Sequence, residues 1–204
     1  MEFLSNINIQ FYLIAYLVGS IPFGLILAKQ FAGVDIKSEG SGNIGATNVL
    51  RVLKQRDPAL AKKLSIATLL LDMLKGMVVL LIAKFVGVSE ATMWGIAVLA
   101  VIGHCFSIYL LGDGGKGVAT GFGVLLFMIP YAALVGLLVW AFSAKVLKIS
   151  SLSSLLGLLA VVGASFFIYP QIPHSPIVII AMIILYKHSE NIMRLFTGEE
   201  GKVV

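Results

Sequence analysis

Charge is what this chain most conspicuously has little of. Only 12% of its 204 residues are Asp, Glu, Lys or Arg, while 59% are hydrophobic. A soluble domain carries about 25% charged residues, so a water-soluble globular fold is excluded and a polytopic membrane protein is expected. Cysteine is nearly missing as well. Cys105 is alone, which rules out an intrachain disulfide framework and a Cys-rich metal site. It lies in an apolar stretch and reads as a packing residue. No basic residue precedes the first apolar run, where Glu2 stands. A secretory leader needs a positive start, so the first span is expected to be a retained helix. Several catalytic signatures are also absent. The fifth residues after His104, His174 and His188 are Tyr109, Ile179 and Met193, so no H-x-x-x-x-D dyad exists. G-x-S-x-G, H-E-x-x-H and D-x-x-D-G are missing too. These absences exclude a soluble-type acyltransferase dyad, a serine hydrolase, a zincin and a metal-carboxylate phosphotransferase.

What is present is a series of seven apolar segments: Ile9–Ala28, Leu64–Val86, Thr92–Leu111, Val118–Ile129, Tyr131–Ala144, Ser151–Ile168 and Pro176–Tyr186. The fourth and fifth are short against the roughly 20 residues that cross a ~30 Å hydrocarbon core. They could merge into one helix kinked at Pro130, but the basic residues decide otherwise. With seven spans and the N-terminus outside, thirteen of the fifteen Lys and Arg fall on one face. These are Lys29, Lys37, Arg51, Lys54, Arg56, Lys62 and Lys63 after span 1, Lys116 after span 3, Lys145 and Lys148 after span 5, and Lys187, Arg194 and Lys202 in the tail. Lys75 lies within span 2, and Lys84 alone falls outside. That bias is the positive-inside pattern. The expected fold is an all-α integral membrane protein, one domain over residues 1–204, a seven-span bundle with the N-terminus outside and the C-terminus cytoplasmic. The net charge of +5 is then orientation signal and phosphate attraction, with no reason to invoke nucleic acid.

Two glycine-rich segments fall on the cytoplasmic face of that arrangement. One is Gly40-Ser41-Gly42-Asn43-Ile44-Gly45-Ala46-Thr47 with Arg51 beyond it, and the other is Gly112-Asp113-Gly114-Gly115-Lys116-Gly117-Val118-Ala119-Thr120. Both fit G-x-G-x-x-G, and each leads into a helix with a cation nearby. Bare amides, a helix N-terminus and a Lys or Arg are what a phosphate needs. In the first, Ser41 or Asn43 is expected to cap an interfacial helix over 44–54. Its wet face would hold Thr47, Arg51 and Lys54 or Gln55, and its greasy face Ala46, Leu50 and Leu53. Arg51 offers a phosphate a bidentate fork. In the second, Gly115, Lys116 and Gly117 stand where a helix dipole favours an anion. The bland alternatives are a helix cap with a headgroup-binding Arg, and a tight turn with a snorkelling Lys. Neither segment is a Walker A loop or a dinucleotide fingerprint.

The remaining ionisable residues leave two readings each. His104 sits near the cytoplasmic end of span 3, either functional by virtue of its depth or a hydrogen-bonded structural histidine. Asp72 and Lys75, at i and i+3, face each other and read first as a mutually neutralising pair. In the tail, His188, Asn191 and Arg194 share a helical face; His188 could serve as a general base or hold the tail against the loops. His174 stands on the opposite membrane face.

These residues fall into a longer pattern. Ser20-x-Pro22, Gly-Ser-Gly-Asn-x-Gly-Ala-Thr-Asn-x-x-Arg at 40–51, Asp72-x-x-Lys75-Gly76, Gly103-His104, Gly-Gly-Lys-Gly-Val-Ala-Thr at 114–120 and His188-x-x-Asn191-Ile192-x-Arg194-Leu195 resemble the bacterial acyl-phosphate:glycerol-3-phosphate acyltransferases, the PlsY type, over nearly the whole chain. The resemblance implies a seven-span enzyme of the bacterial inner membrane with a cytoplasmic active site. It would move a fatty acyl group from acyl phosphate to the 1-hydroxyl of sn-glycerol 3-phosphate, giving lysophosphatidic acid and phosphate in the first acylation of phospholipid synthesis. No cofactor, metal or obligate protein partner is implied, and membrane lipid is the surroundings. Ser41, Gly42, Asn43, Arg51, Lys116, His188 and Asn191 match the family's motif positions. Ser41, Asn43 and His188 are the expected catalytic groups. The expected phosphate-binding set is Ser41, Gly42, Asn43, Thr47, Arg51, Gly115, Lys116, Gly117 and Asn191. Two departures stand out: Asp113 replaces a usual basic residue before the Gly-Gly-Lys-Gly run, and no proline soon follows Gly103-His104. Outside the family, a transporter of an organic phosphate would also show basic glycine-rich loops, yet it would need polar residues on the outer face and a repeat inverted across the bilayer. The two similar segments here lie on one side.

Overall fold

Helix boundaries in this chain follow from a few capping residues and glycines. In the computed structural model, which describes residues 5–202, Asp57 accepts a hydrogen bond from Leu60 N at 2.9 Å, and Pro58 opens the helix behind it. Ser89 likewise accepts from Thr92 N, and Gly87, at φ +81°, ends the preceding helix in the left-handed conformation. The elements are α1 Ile7–Gly19, α2 Phe23–Ala32, α3 Ala46–Leu53, α4 Pro58–Val86, α5 Glu90–Cys105, a 3-10 turn Ile108–Leu110, α6 Val118–Met128, α7 Pro130–Leu147, α8 Ser150–Ile168, α9 Ser175–Lys187 and α10 Ser189–Thr197. No strand forms among the described residues. Glu2 lies outside them.

Helix forms within each of the seven apolar segments, in the first as two helices and in the third with a closing 3-10 turn. Five stretches are long and apolar enough to cross a membrane: Ile7–Ala32, Pro58–Val86, Glu90–Leu110, Pro130–Leu147 and Ser150–Ile168. A sixth arises if α9 and α10, bent by 57° at His188, count as one. Helix α6 has 11 residues, about 16 Å of helix at 1.5 Å per residue. It ends before Pro130, so α6 and α7 are separate helices rather than one kinked rod. The bundle carries large apolar side chains outward, among them Phe85, Leu138, Phe142 and Phe167, the surface a bilayer covers.

Between α1 and α2 the first span is broken at Ser20–Pro22. A broken helix inside a membrane frees carbonyls that something must satisfy. Ser107 donates its hydroxyl to Ser20 O at 2.6 Å, and Lys75 Nζ donates to Ile21 O at 2.9 Å. Helices α1 and α5 approach closely enough that a Cβ on Gly19 would overlap the Ala100 carbonyl and one on Gly103 the Tyr16 carbonyl. Close backbone approach through small residues is how helices associate where the lipid is as apolar as the side chains.

Helix α3 departs from expectation in two ways. It starts at Ala46 with Gly45 as N-cap and no side-chain cap, so neither Ser41 nor Asn43 caps it. Its buried side is Asn48, Val49, Val52 and Leu53, one step round from the anticipated Ala46, Leu50 and Leu53 face. The cause is Asn48, a polar residue turned inward. Its amide nitrogen donates to Ile36 O, Glu39 O and Asn43 O, and its oxygen accepts from Ser41 N at 2.8 Å. A side chain that organises the preceding loop outweighs the apolar pattern.

Candidate functional site

A cavity of about 740 Å³ opens among these helices, and it gathers most of the expected site residues. Ser41, Asn43, Thr47 and Arg51 reach it from the first glycine segment and α3. Lys116 and Gly117 come from the second segment, Asp72 and His104 from α4 and α5, and His188, Asn191 and Arg194 from the bend and α10. Gly42, Gly115 and Lys75 lie behind this lining. An apolar arm continues between α6, α7 and α8, past Phe122, Leu125, Leu137, Trp140, Leu158 and Val161. One end of the cavity is therefore cationic and the other oily.

The first loop is held by internal hydrogen bonds. Gly40 and Gly42 adopt φ of +64° and +68°, a region open to glycine without strain, and a Cβ on Gly40 would strike Asn48 Oδ1. Gly42 N donates to Glu39 O and Gly45 N to Asn43 Oδ1. With Ser41 N given to Asn48, three amides of this loop are already spent. What this segment and α3 turn toward the cavity are side chains, among them Ser41 and Arg51, and Arg51 forms no ion pair with the described residues. Thr47 Oγ1 meets Ser150 Oγ at 3.3 Å, joining α3 to α8 at the cavity wall.

The second loop is strapped onto α5. Gly115 N donates to His104 O at 2.9 Å and Gly114 N to Cys105 O at 3.2 Å. Those two amides, expected to be bare, are engaged, which leaves Lys116 as the loop's principal cation. Its ammonium donates to Asn191 Oδ1. Burial, then the nearby Arg194 guanidinium, lowers the Lys116 pKa below the usual lysine range. Asp113 does not oppose the site: it forms an ion pair with Lys37 at 2.7 Å. That hydrogen bond holds its carboxyl below the usual carboxylate range and ties the two glycine segments together.

His188 is 3% exposed. Its Nδ1 lies 2.8 Å from Ile184 O. A carbonyl only accepts, so Nδ1 carries the proton, and in the neutral ring the Nε2 lone pair is left free. Asn191 Nδ2 donates to Glu200 Oε1 at 2.6 Å, Ser151 Oγ donates to the same oxygen at 2.6 Å, and Arg194 Nε donates to Glu200 Oε2 at 2.7 Å. Partial burial would raise the Glu200 pKa, but these hydrogen bonds outweigh it and hold the carboxyl below its usual value. Sequence reading missed Asn48, Ser151 and Glu200. Asn48 had a signal, being an Asn within an otherwise apolar helical face; Glu200, one acid of a pair in the tail, had none. Asp72 and Lys75 form the expected pair, with Lys75 Nζ 2.8 Å from Asp72 Oδ1. Among the described residues no group of three or more His, Cys, Asp or Glu could hold a metal ion.

A family model described as glycerol-3-phosphate acyltransferase matches residues 9–198. A glycerol-3-phosphate acyltransferase of Sulfurimonas denitrificans is 63% identical over 204 residues, covering 100% of both chains. The crystal structure of PlsY, an integral membrane glycerol 3-phosphate acyltransferase, in its glycerol 3-phosphate form is 37% identical, with a TM-score of 0.87 over 97% of this chain and 96% of that one. Its lysophosphatidic acid form is 36% identical, with a TM-score of 0.85 over 97% and 95%. The chain belongs to the glycerol-3-phosphate acyltransferase family.

Proposed function

We propose that this acyltransferase moves a fatty acyl group from acyl phosphate to the 1-hydroxyl of sn-glycerol 3-phosphate, releasing lysophosphatidic acid and phosphate. The observation that carries the reading is the cavity itself, with Arg51, Lys116 and Arg194 at one end and an apolar arm between α6, α7 and α8 at the other. A substrate fitting both ends has a phosphate and a hydrocarbon chain. In this reading the chain is one domain crossing the bacterial inner membrane seven times, with its N-terminus outside and the site facing the cytoplasm, where the excess of Lys and Arg lies. No cofactor or protein partner takes part.

In the reaction, the hydroxyl oxygen of glycerol 3-phosphate attacks the acyl carbonyl carbon. The carbonyl carbon–oxygen bond to phosphate breaks, and phosphate departs with the electron pair. His188 Nε2 takes the hydroxyl proton, its Nδ1–H being held by Ile184 O. Arg51 with Ser41 and Asn43 holds one phosphate; Lys116, oriented by Asn191, holds the other. Acyl phosphate is a mixed anhydride with a good leaving group, so the protein's tasks are positioning and charge neutralisation. The test is steady-state kinetics of Arg51→Ala and Lys116→Ala with each substrate varied in turn. Each variant should raise KM on the order of 10-fold or more, for a different substrate, since a hydrogen bond to a charged group contributes about 1.5–3 kcal/mol. Wild-type constants in either variant contradict the assignment of that cation.

A further inference from the structure

His104 has two ring nitrogens, and the structure uses only one of them. Lys75 Nζ has three N–H groups and three acceptors: Asp72 Oδ1 at 2.8 Å, Ile21 O at 2.9 Å and His104 Nδ1 at 2.9 Å. With all three donated, His104 Nδ1 is an acceptor, and the neutral ring carries its proton on Nε2. The residue is 4% exposed, yet it lines the cavity. Its Nε2–H gives no hydrogen bond to the described residues, and the nitrogen keeps some exposure.

What stands beside that nitrogen is the second glycine loop. A Cβ on Gly115 would overlap His104 Nε2, and one on Gly114 would overlap His104 O. Gly115 N is bonded to His104 O, so the loop carrying Lys116 is fastened to the same residue whose ring points beneath it. A purely structural histidine would need only its Nδ1, to complete the Lys75 shell. Here the ring also reaches the cavity, and the glycine lets the Lys116 loop pack directly against its Nε2 end.

We propose that His104 is a further substrate-binding residue of this reaction, donating Nε2–H to a phosphoryl oxygen of the substrate held against the Gly114–Gly117 turn. The inference rests on the acyltransferase reading above. The acceptor is a phosphoryl oxygen of glycerol 3-phosphate or of the acyl phosphate; both have the same chemistry. Lys75 acts through His104 as a positioning residue: its hydrogen bond to Nδ1 fixes the tautomer that leaves a donor, not an acceptor, toward an anion. A neutral N–H at this depth adds directional stabilisation without a further unpaired charge in the bilayer.

Two substitutions separate the two poles of the ring. The amide nitrogen of Gln reaches roughly where Nε2 stands, and the amide oxygen of Asn roughly where Nδ1 stands. Purified wild type, His104→Gln and His104→Asn are assayed with acyl phosphate and glycerol 3-phosphate, and melting temperature is read in the same detergent. His104→Gln should keep kcat/KM within about 5-fold of wild type. His104→Asn should keep its melting temperature and lose on the order of 10- to 100-fold in kcat/KM, what loss of one hydrogen bond to a charged group costs. A folded His104→Asn with wild-type kinetics overturns the proposal, because a role confined to Lys75 is what Asn preserves. If His104→Asn does not fold, the wild-type protein decides: with ¹⁵N-labelled histidine, the His104 Nε2–H resonance should shift on saturation with glycerol 3-phosphate or with inorganic phosphate. A shift with glycerol 3-phosphate alone assigns the donor to the acceptor substrate. A shift with inorganic phosphate alone assigns it to the leaving group. No shift with either overturns the proposal. Wild type inert with both substrates removes the acyltransferase reading itself, which separates that failure from this one.

Discussion

At the scale of single residues, the site is a set of side chains whose partners fix what each can do. His188 gives Nδ1–H to Ile184 O, which leaves the Nε2 lone pair for the proposed role as base. His188→Ala should lower kcat by about 10²- to 10⁴-fold, the usual contribution of a general base. Near-normal turnover would instead assign the hydroxyl proton to the phosphate of glycerol 3-phosphate. Lys116 differs because its charge is at stake. Burial first, then Arg194, lowers its pKa, so raising the pH removes its proton earlier than from a free lysine at about 10.4. The charged form is present below the lowered pKa and lost above it. KM for one phosphate substrate should therefore climb with alkaline pH, beginning below the free-lysine range. Lys116→Arg should flatten that climb, since Arg keeps its charge; an identical profile in the variant would show that another group titrates. The sequence exposed Ser41, Arg51, Lys116, His188 and Asn191 because motif spacing brings them out. It hid Glu200, whose importance comes from the tail folding back so that Ser151, Asn191 and Arg194 converge on one carboxylate. No local pattern encodes such a long return.

Among elements, the informative feature is the break between α1 and α2. Sequence reading saw one apolar run there, because hydropathy does not register a Ser-x-Pro interruption flanked by Val, Ile and Phe. The break is affordable in a membrane only because α4 and the turn after α5 supply Lys75 and Ser107 to the freed carbonyls. This recasts the Asp72–Lys75 pair: mutual neutralisation is one part of its role, and support of the broken helix is another. Lys75→Met should lower the melting temperature sharply, since removing one partner of a buried pair costs about 3–5 kcal/mol. Asp72→Asn combined with Lys75→Met should recover part of the loss. If Lys75→Met melts like wild type, Ile21 O is satisfied in another way. Helix α3 shows the opposite limit of sequence reading. Its position near 44–54 was evident, but its rotation was not, because Asn48 turns inward to hold the loop.

Over the whole molecule, seven apolar segments become helices, and the two glycine segments, far apart in sequence, come together at one end of the bundle. The Lys37–Asp113 ion pair joins them directly, which explains why an acid is tolerated beside Lys116. Their meeting was legible from charge placement, since both were assigned to one face. Their relation to the oily arm between α6, α7 and α8 was not, because it depends on how helices pack rather than on what each contains. In the proposed reaction that relation lets a phosphate-bearing acyl donor enter through lipid and meet a water-soluble phosphate at the cationic end. The most direct test is turnover by the purified protein in lipid, with glycerol 3-phosphate and, in separate reactions, acyl phosphate, acyl-CoA or acyl carrier protein as donor. Lysophosphatidic acid should form from acyl phosphate alone. Product from acyl-CoA or acyl carrier protein in its place would contradict the proposed reaction.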